Sequence, residues 1–216
     1  MQRFILEKND FLKTDIFSFY HTDYLGFGNE DNPDYLNTLK NTYGNYSEKS
    51  LSHAVSQLEN VLNDIFDIAY THNEFKFDWP LTICIVPRAK TDYKKNQLLF
   101  HSTIKEFVKR TVDDLNEAQY HEIFEDGSDY LTRTINTKTT HLPLETPNYV
   151  NDGEKPYAGI TKATCKISEK VKGKSILLID DIYTKNINVD EDAIQALLDS
   201  GAKSVIFYAI AKTFRK

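Results

Sequence analysis

The pattern of apolar and polar positions along the chain predicts alternating helices and strands. Apolar side chains recur at steps of three and four between residues 47 and 70, which is typical of an amphipathic helix. Residues 81–86, a continuous β-prone run ended by Pro87, predict a strand buried on both faces. A second helical pattern follows over residues 97–112, and a strand followed by a helix indicates a β-α-β unit.

The C-terminal part of the chain shows the same alternation. Residues 175–179 predict a strand, and residues 190–200 predict a helix that Gly201 ends. Residues 204–211 predict one more strand. This half of the chain therefore predicts a second strand-helix-strand unit.

A long polar segment, residues 125–152, separates the two units. It is dense in Thr, Asn, Pro and charged residues, so apart from a short strand at 130–134 it predicts a loop. A loop of this length in a compact domain is often functional.

The N-terminal part is less informative. Residues 17–46 are rich in aromatic residues and Asn, are interrupted by Gly and Pro, and predict at most short elements. We therefore divide the chain into a mainly helical extension, residues 1–75, and an α/β domain, residues 76–216, with a parallel sheet flanked by helices. We expect the helix of the extension to pack on the core; a second copy of the chain or another protein is the alternative partner for its apolar stripe.

Length and charge narrow the function. The chain has 216 residues, which suits one α/β domain with an extension. Its net charge of −6 argues against a general nucleic-acid surface, because affinity for a phosphate backbone needs clustered Lys and Arg. Charged residues interrupt residues 1–20, so these lack the apolar core of a signal peptide or membrane span. We expect a cytoplasmic protein that does not enter a membrane.

Two adjacent carboxylates, Asp180 and Asp181, follow the apolar run 176–179. In open α/β sheets ligands bind outside the carboxyl ends of the strands. Carboxylates accept hydrogen bonds from the vicinal hydroxyls of a ribose, and they also bind magnesium. The pair therefore predicts a polar ligand site. The alternative interpretation is that the two acids only begin a solvent-exposed loop.

Residues 176–184, Ile-Leu-Leu-Ile-Asp-Asp-Ile-Tyr-Thr, resemble the diphosphate-sugar binding motif of the type I phosphoribosyltransferases. The similarity is greatest to the competence protein ComF-like and amidophosphoribosyltransferase-like members of that family. The helix that follows, Gly201-Ala202 and the strand at 205–209 also match the order of elements in the family. The resemblance thus covers about the last forty residues most clearly.

Weaker similarities lie upstream, in the same order as in the family. Residues 85–88, Ile-Val-Pro-Arg, resemble the segment that receives the pyrophosphate. Arg133, Thr137 and Thr140 resemble the Arg and Thr pattern of a loop over the active site.

The resemblance implies attack by a nitrogen nucleophile or water at C1 of phosphoribosyl diphosphate, with pyrophosphate leaving. The transition state would be oxocarbenium-like, so catalysis would depend on positioning and on charge stabilisation. The implied catalytic residues are Asp180, Asp181, Arg88 and Arg133, where the arginines serve the diphosphate. Magnesium is the implied cofactor, with Asp180 and Asp181 acting on it indirectly. The residues implied in ligand binding are Pro87, Tyr183, Thr184, Lys185, Asn186 and Asn188.

The loop after the acids departs from the family pattern, because residues 185–189 contain no glycine. Asn186 or Asn188 can adopt positive φ, whereas the β-branched Ile187 resists it. Asp190, Glu191 and Asp192 are expected to be ordinary acids at a helix start, where they would compete with a bound phosphate. Lys185 would partly offset their charge. We therefore expect a reshaped phosphate loop.

Three interpretations of function remain open. The first is a transferase acting on phosphoribosyl diphosphate with an unidentified acceptor. The second is a degenerate, non-catalytic protein that binds a nucleotide or sugar phosphate and regulates. The third is an effector-like or toxin-like enzyme that acts on cellular nucleotides. All three predict a phosphorylated sugar or nucleotide as the ligand.

Overall fold

The computed structural model describes residues 1–71, 78–117, 123–139, 151, 153, 160 and 163–214. The elements in chain order are β1 (Gln2–Leu6), β2 (Ile16–Tyr24), α1 (Asp34–Lys40), α2 (Glu48–Thr71), β3 (Leu81–Ile85), α3 (Leu99–Glu117), β4 (Phe124–Asp126), β5 (Leu131–Arg133), β6 (Cys165–Ile167), β7 (Ser175–Tyr183), α4 (Val189–Asp199) and β8 (Ser204–Thr213).

Six strands form one sheet in the order β1-β2-β8-β7-β3-β4. Its neighbouring strands are parallel except at the edge, where β1 pairs antiparallel with β2. Strands β5 and β6 form a separate antiparallel pair. The α/β class with a mostly parallel sheet is therefore confirmed.

The sheet separates two hydrophobic clusters. Along β7, Leu177 and Ile179 belong to one cluster and Ile176 and Leu178 to the other, because successive strand residues point to opposite faces. Helices α1, α2 and α3 pack on the first face. Helix α4 and the β5-β6 pair pack on the second. Because both faces of the sheet are covered, the central strands need apolar residues on both sides, and their sequences are nearly continuous apolar runs.

The connections of the sheet reverse direction between β3 and β7. From β3 the chain passes through α3 to β4, on one side of β3, and from β7 it passes through α4 to β8, on the opposite side of β7. Neighbouring parallel strands whose connections depart in opposite directions leave a crevice at their carboxyl ends. This crevice is the place where the fold leaves room for a ligand.

Most predicted elements of the α/β part are confirmed, namely α3, α4, β3, β5, β7 and β8, together with helix α2 of the N-terminal part. Strand β7 is longer than predicted, since it runs on to Tyr183 and includes both Asp180 and Asp181. It lies between β3 and β8, so the acids stand near the carboxyl end of a central parallel strand. Residues 140–150 of the predicted long loop, including Thr140, lie outside the described residues.

Strands β1 and β2 were not predicted. Strand β2 pairs in parallel with β8, with Ser18 opposite Phe207, so the N-terminal part contributes strands to the main sheet as well as helices. The mainly helical extension was therefore an incomplete description. The division between residues 75 and 76 stays a prediction, but the sheet extends across it.

Within the described residues, no helix combines the length and the apolar character needed to cross a membrane.

The central position of β7 predicts a large cost for a cavity there. Leu178 has 0% exposure, so Leu178→Ala should lower the free energy of unfolding by about 2–5 kcal/mol. Ile5 on the edge strand β1 is 49% exposed, and Ile5→Ala should cost less than about 1 kcal/mol. Urea unfolding of both variants measures the difference. Equal costs would contradict a core organised around β7.

Candidate functional site

A cleft opens at the carboxyl ends of β3 and β7, in the crevice where the connections diverge. Its lining comes from the end of α1, the segment after β3, α3, the end of β5 with the segment after it, and the turn from β7 into α4. Besides Pro87, the lining includes the polar and charged residues Lys40, Arg88, His101, Arg133, Lys138, Asp180, Asp181, Thr184 and Asp190. Its volume is about 130 Å³, below the roughly 300–1,000 Å³ typical of small-molecule pockets. The enclosed space therefore suits one part of a nucleotide-sized ligand.

The pairing of β7 explains why its acids reach the cleft. The register with β3 ends at Ile85 opposite Ile179, and the N–H of Val86 donates to the carbonyl of Ile179 at 3.0 Å. The register with β8 continues to Tyr183. From Asp180 onward β7 therefore has no β3 neighbour, and the space that β3 vacates is the cleft.

We infer that Asp180 and Asp190 share a proton. Their side chains are hydrogen-bonded to each other, and two ionised carboxylates have no proton to donate. Burial and the charge of Asp181 raise the pKa of Asp180 to about 7. Burial, followed by the charge of Asp180, raises the pKa of Asp190 well above its ordinary value. Asp190 is only 4% exposed and its Oδ1 has no partner among the described residues, so we assign the proton mainly to Asp190.

Asp181 faces the same cleft in a different environment. Its Oδ1 accepts the N–H of Ile182 at 2.6 Å, which fixes the carboxylate against its own backbone. Its other oxygen, Oδ2, has no hydrogen-bond partner among the described residues. The two adjacent acids therefore differ, one sharing a proton with a third carboxyl group and the other held by a backbone donor.

Arg88 and Arg133 line the cleft but are anchored. Arg88 Nη1 donates to the carbonyl of Gln97 at 2.6 Å, and its guanidinium lies 4.6 Å from the centre of the Tyr93 ring. Arg133 Nε donates to the carbonyl of Arg88 at 2.9 Å, and its Nη1 donates to Thr164 Oγ1 at 3.1 Å. Arg133 thereby joins the segment after β3 to the β5-β6 pair.

His101 lines the cleft and was not predicted. Its Nε2 lies 2.9 Å from the carbonyl oxygen of Val86, which can only accept, so Nε2 carries the proton. Burial, with the charge of Arg88, lowers the pKa of His101 to about 4, so the ring is neutral at pH 7. Its Nδ1 is then an acceptor without a partner among the described residues.

Lys40 and Lys138 also line the cleft and were not predicted. Lys40 is the last residue of α1, far from the acids in sequence, and no sequence pattern marked it. Lys138 follows the predicted loop residue Thr137, which itself lies in the lining. The N–H of Thr137 donates to the carbonyl of Ala89 at 2.8 Å, which holds this segment beside the one after β3.

The loop after β7 forms without glycine. Asn186 and Asn188 adopt φ values of 74° and 62°, as their tolerance of positive φ predicted. Ile187 avoids that region, and its N–H donates to the carbonyl of Thr184 at 3.1 Å. Thr184 Oγ1 lies 2.6 Å from Thr213 Oγ1, which ties the loop to the end of β8.

The three acids predicted at the helix start lie in the first turn of α4, but their burial was not predicted. Asp190, Glu191 and Asp192 are all buried. Besides the pair made by Asp190, Glu191 Oε1 accepts from the Tyr183 hydroxyl at 3.1 Å, and Asp192 Oδ2 accepts the N–H of Ile160 at 2.6 Å. The three side chains are therefore fixed by tertiary contacts.

The structure brings together six of the ten predicted site residues in the cleft: Pro87, Arg88, Arg133, Asp180, Asp181 and Thr184. Tyr183, Lys185 and Asn186 line a neighbouring depression instead. Asn188 lines neither, and its Oδ1 accepts from Asn9 Nδ2 at 3.1 Å. Lys185 Nζ lies 3.7 Å from Glu7 Oε2, and both side chains are exposed.

Carboxylate oxygens suit magnesium, but the described residues contain no group of three or more His, Cys, Asp or Glu side chains that could hold a metal ion. Magnesium at Asp180 and Asp181 stays a prediction, and it would need further ligands from the bound diphosphate.

No family model, curated protein or solved structure matches the chain. The resemblance to the phosphoribosyltransferases therefore stays an expectation that rests on the residues named above.

The shared proton predicts a pH-dependent gain from Asp190→Asn. A carboxyl group whose pKa rises on folding binds more protons in the folded state, so the raised pKa of Asp190 makes wild-type stability fall as pH rises above its ordinary value of about 4. Asn keeps a donor for Asp180 and removes that cost. We expect the free energy of unfolding of the variant to exceed that of wild type by about 1 kcal/mol or more at pH 8, and by less at pH 5.

Urea unfolding at the two pH values measures this gain, with the exposed Glu106→Gln as a matched control that should show no pH-dependent difference. An Asp190→Asn effect that is the same at both pH values would contradict the shared proton.

Proposed function

We propose that the cleft binds phosphoribosyl diphosphate or a closely related ribose phosphate, and that the chain is a phosphoribosyltransferase-like protein. The observation that carries the proposal is the meeting of two strand-end acids, Asp180 and Asp181, with Arg88 and Arg133 across one crevice at the carboxyl ends of β3 and β7. Acids for hydroxyl groups and cations for phosphate oxygens are the two recognition chemistries that such a ligand needs.

The acids would serve the ribose. Asp181 has one carboxylate oxygen fixed by the Ile182 N–H and one left for a ligand hydroxyl. Asp180 lies on the same strand, and the proton shared with Asp190 limits the negative charge beside it. Because the negative charge there is limited, the neutral diol of a ribose can approach Asp180 without replacing a tightly bound cation. The unpartnered acceptor Nδ1 of His101 suits the same donor-rich part of the ligand.

The cations would serve the phosphate groups. Lys40, Arg88, Arg133 and Lys138 all line the cleft, so its charge is not simply acidic. Arg88 and Arg133 keep their positive charge while their anchoring bonds hold them in place, and fixed charges need little reorganisation when a transition state develops charge. Lys40, at the end of α1, adds a more flexible point charge.

In a transfer reaction these groups would position the ligand and stabilise the charge that develops on the leaving diphosphate. The C1–oxygen bond to pyrophosphate breaks as the acceptor approaches, and the departing diphosphate gains negative charge near the arginines. Magnesium, when bound, would supply further charge neutralisation on the diphosphate. The acceptor is not identified by any described residue.

Binding without turnover is the second candidate function. Two observations favour it: the guanidinium groups of Arg88 and Arg133 already bond to backbone or side-chain oxygens, and the enclosed volume is small. In that case the protein would bind a ribose phosphate and regulate. Pyrophosphate release from phosphoribosyl diphosphate separates the two candidates, because only the transferase produces it.

We expect Asp180→Asn combined with Asp181→Asn to lower the affinity for phosphoribosyl diphosphate with magnesium at least tenfold, about 1.4 kcal/mol. The physical reason is that Asn offers a ligand diol fewer acceptor sites and no charge. Titration calorimetry measures the affinity. Asp10→Asn, an exposed acid outside the cleft, is the matched control and should bind as wild type does.

Urea unfolding shows whether the double variant is folded. Unchanged affinity in a folded double variant would remove the two acids from the site, and loss of folding would make them structural.

The positions of two lysines predict different effects on phosphate binding. Lys40 lines the cleft and Lys185 lines the neighbouring depression, so Lys40→Met should weaken ribose 5-phosphate binding about fivefold, whereas Lys185→Met should change it less than twofold. Calorimetry with ribose 5-phosphate, and with ribose as the uncharged control, measures both. A larger effect of Lys185→Met than of Lys40→Met would instead support the phosphate-binding role that the place of Lys185 in the motif predicts.

A further inference from the structure

A second depression lies beside the cleft, and we call it the β1 pocket. It is formed by β1 and the segment after it, the end of β7, the loop that follows, α4 and the end of β8; its lining residues are Phe4, Ile5, Glu7, Lys8, Asn9, Tyr183, Lys185, Asn186, Glu191 and Lys212. Its volume is about 330 Å³, within the range of about 300–1,000 Å³ typical of small-molecule sites. None of these residues lines the cleft.

The β1 pocket contains a buried carboxylate that is only half satisfied. Glu191 is 2% exposed, and its Oε1 accepts from the Tyr183 hydroxyl at 3.1 Å. Its Oε2 has no hydrogen-bond partner among the described residues. Burying a carboxylate oxygen without a donor is costly, so a ligand donor at this oxygen would be stabilised. An amino group is a suitable donor.

One wall of the β1 pocket is aromatic. The rings of Phe4 and Tyr183 have their centres 5.2 Å apart and are tilted by 36°. Tyr183 is buried, with 5% exposure, so the half-buried Phe4 presents the accessible part of this wall. Stacking of a base on an aromatic side chain contributes about 1–3 kcal/mol. The wall therefore suits a nucleobase better than an aliphatic ligand.

The remaining lining carries three lysines and one exposed acid, Glu7. Lys212 Nζ lies 5.5 Å from the centre of the Phe4 ring and 5.2 Å from that of Tyr20. Lys212 is paired in register with Asp23 of β2, but no ion pair joins it to a carboxylate of the described residues. Lys8 and Lys185 also line the pocket, and only Lys185 has an acidic neighbour there, at 3.7 Å. Three ammonium groups around one depression attract a phosphate.

We propose that the β1 pocket binds a nucleoside phosphate whose base carries an exocyclic amino group. The amino group donates to Glu191 Oε2, the base lies against the Phe4 and Tyr183 wall, and the phosphate meets the lysines. The donor, aromatic and anionic parts of such a ligand match the three features of the pocket. Inorganic phosphate would meet only the lysines, and a nucleoside only the acid and the wall.

The β1 pocket is independent of the proposed function of the cleft. Consecutive residues separate the two sites, since Ile182 and Asp190 line the cleft while Tyr183 and Glu191 line the pocket. A variant on one side therefore leaves the other lining intact. The inference stands whether or not phosphoribosyl diphosphate binds in the cleft.

Titration calorimetry with adenosine 5′-monophosphate tests the proposal, with inosine 5′-monophosphate as the matched ligand that lacks the exocyclic amine. The protein forms are wild type, Lys212→Met in the pocket and Asp181→Asn in the cleft. Met keeps the length of the Lys212 side chain and its contact with the rings, so it removes mainly the charge. Thermal unfolding checks that each variant is folded.

We expect the adenine nucleotide to bind wild type with a dissociation constant below about 1 mM, and the inosine nucleotide about tenfold more weakly. Lys212→Met should weaken the adenine nucleotide at least fivefold. Asp181→Asn should leave the preference of about tenfold for the adenine over the inosine nucleotide unchanged, because that preference comes from Glu191 in the β1 pocket. The proposal is overturned if wild type does not bind the adenine nucleotide, or if the two nucleotides bind equally. It is also overturned if Asp181→Asn removes the preference for the adenine nucleotide.

Discussion

Burial of β7 on both faces is the constraint on which the rest of the structure depends. Leu177 and Ile179 pack against α1, α2 and α3, while Ile176 and Leu178 pack against α4 and the β5-β6 pair. The strand must therefore lie inside the sheet, between β3 and β8. Because β3 ends at Ile85, the next two residues of β7, Asp180 and Asp181, reach the crevice without a β3 neighbour. One apolar run thus places two acids where a ligand can meet them.

Placing acids there has an electrostatic cost that the neighbouring residues reduce. Asp190 holds a proton against Asp180, a backbone N–H fixes Asp181, and Tyr183 donates to Glu191. Each contact arises in the short segment that turns from β7 into α4. The same segment lines the cleft with Ile182 and Asp190 and the β1 pocket with Tyr183 and Glu191, so it contributes different residues to each proposed site.

The apolar patterns predicted the core of the fold but not its edges. Residues 81–86 and 176–179 are continuous β-prone runs, which predicted strands buried on both faces, and the two strands pair inside the sheet. Strands β1 and β2 were missed because β1 is mostly exposed and β2 mixes aromatic and polar residues, so neither shows a continuous apolar run. For the site, the strand-end acids were predictable because local sequence places them. Lys40 and His101 were not, since they reach the cleft from α1 and α3 through tertiary packing alone.

The most direct test of the central claim is a crystal structure of the chain grown with phosphoribosyl diphosphate and magnesium. The account predicts the ribose at the carboxyl end of β7, with a hydroxyl within about 3 Å of Asp180 or Asp181 and the diphosphate on the side of Arg88. Ligand density away from the crevice between β3 and β7, or none at ligand concentrations that saturate the protein in solution, would contradict it.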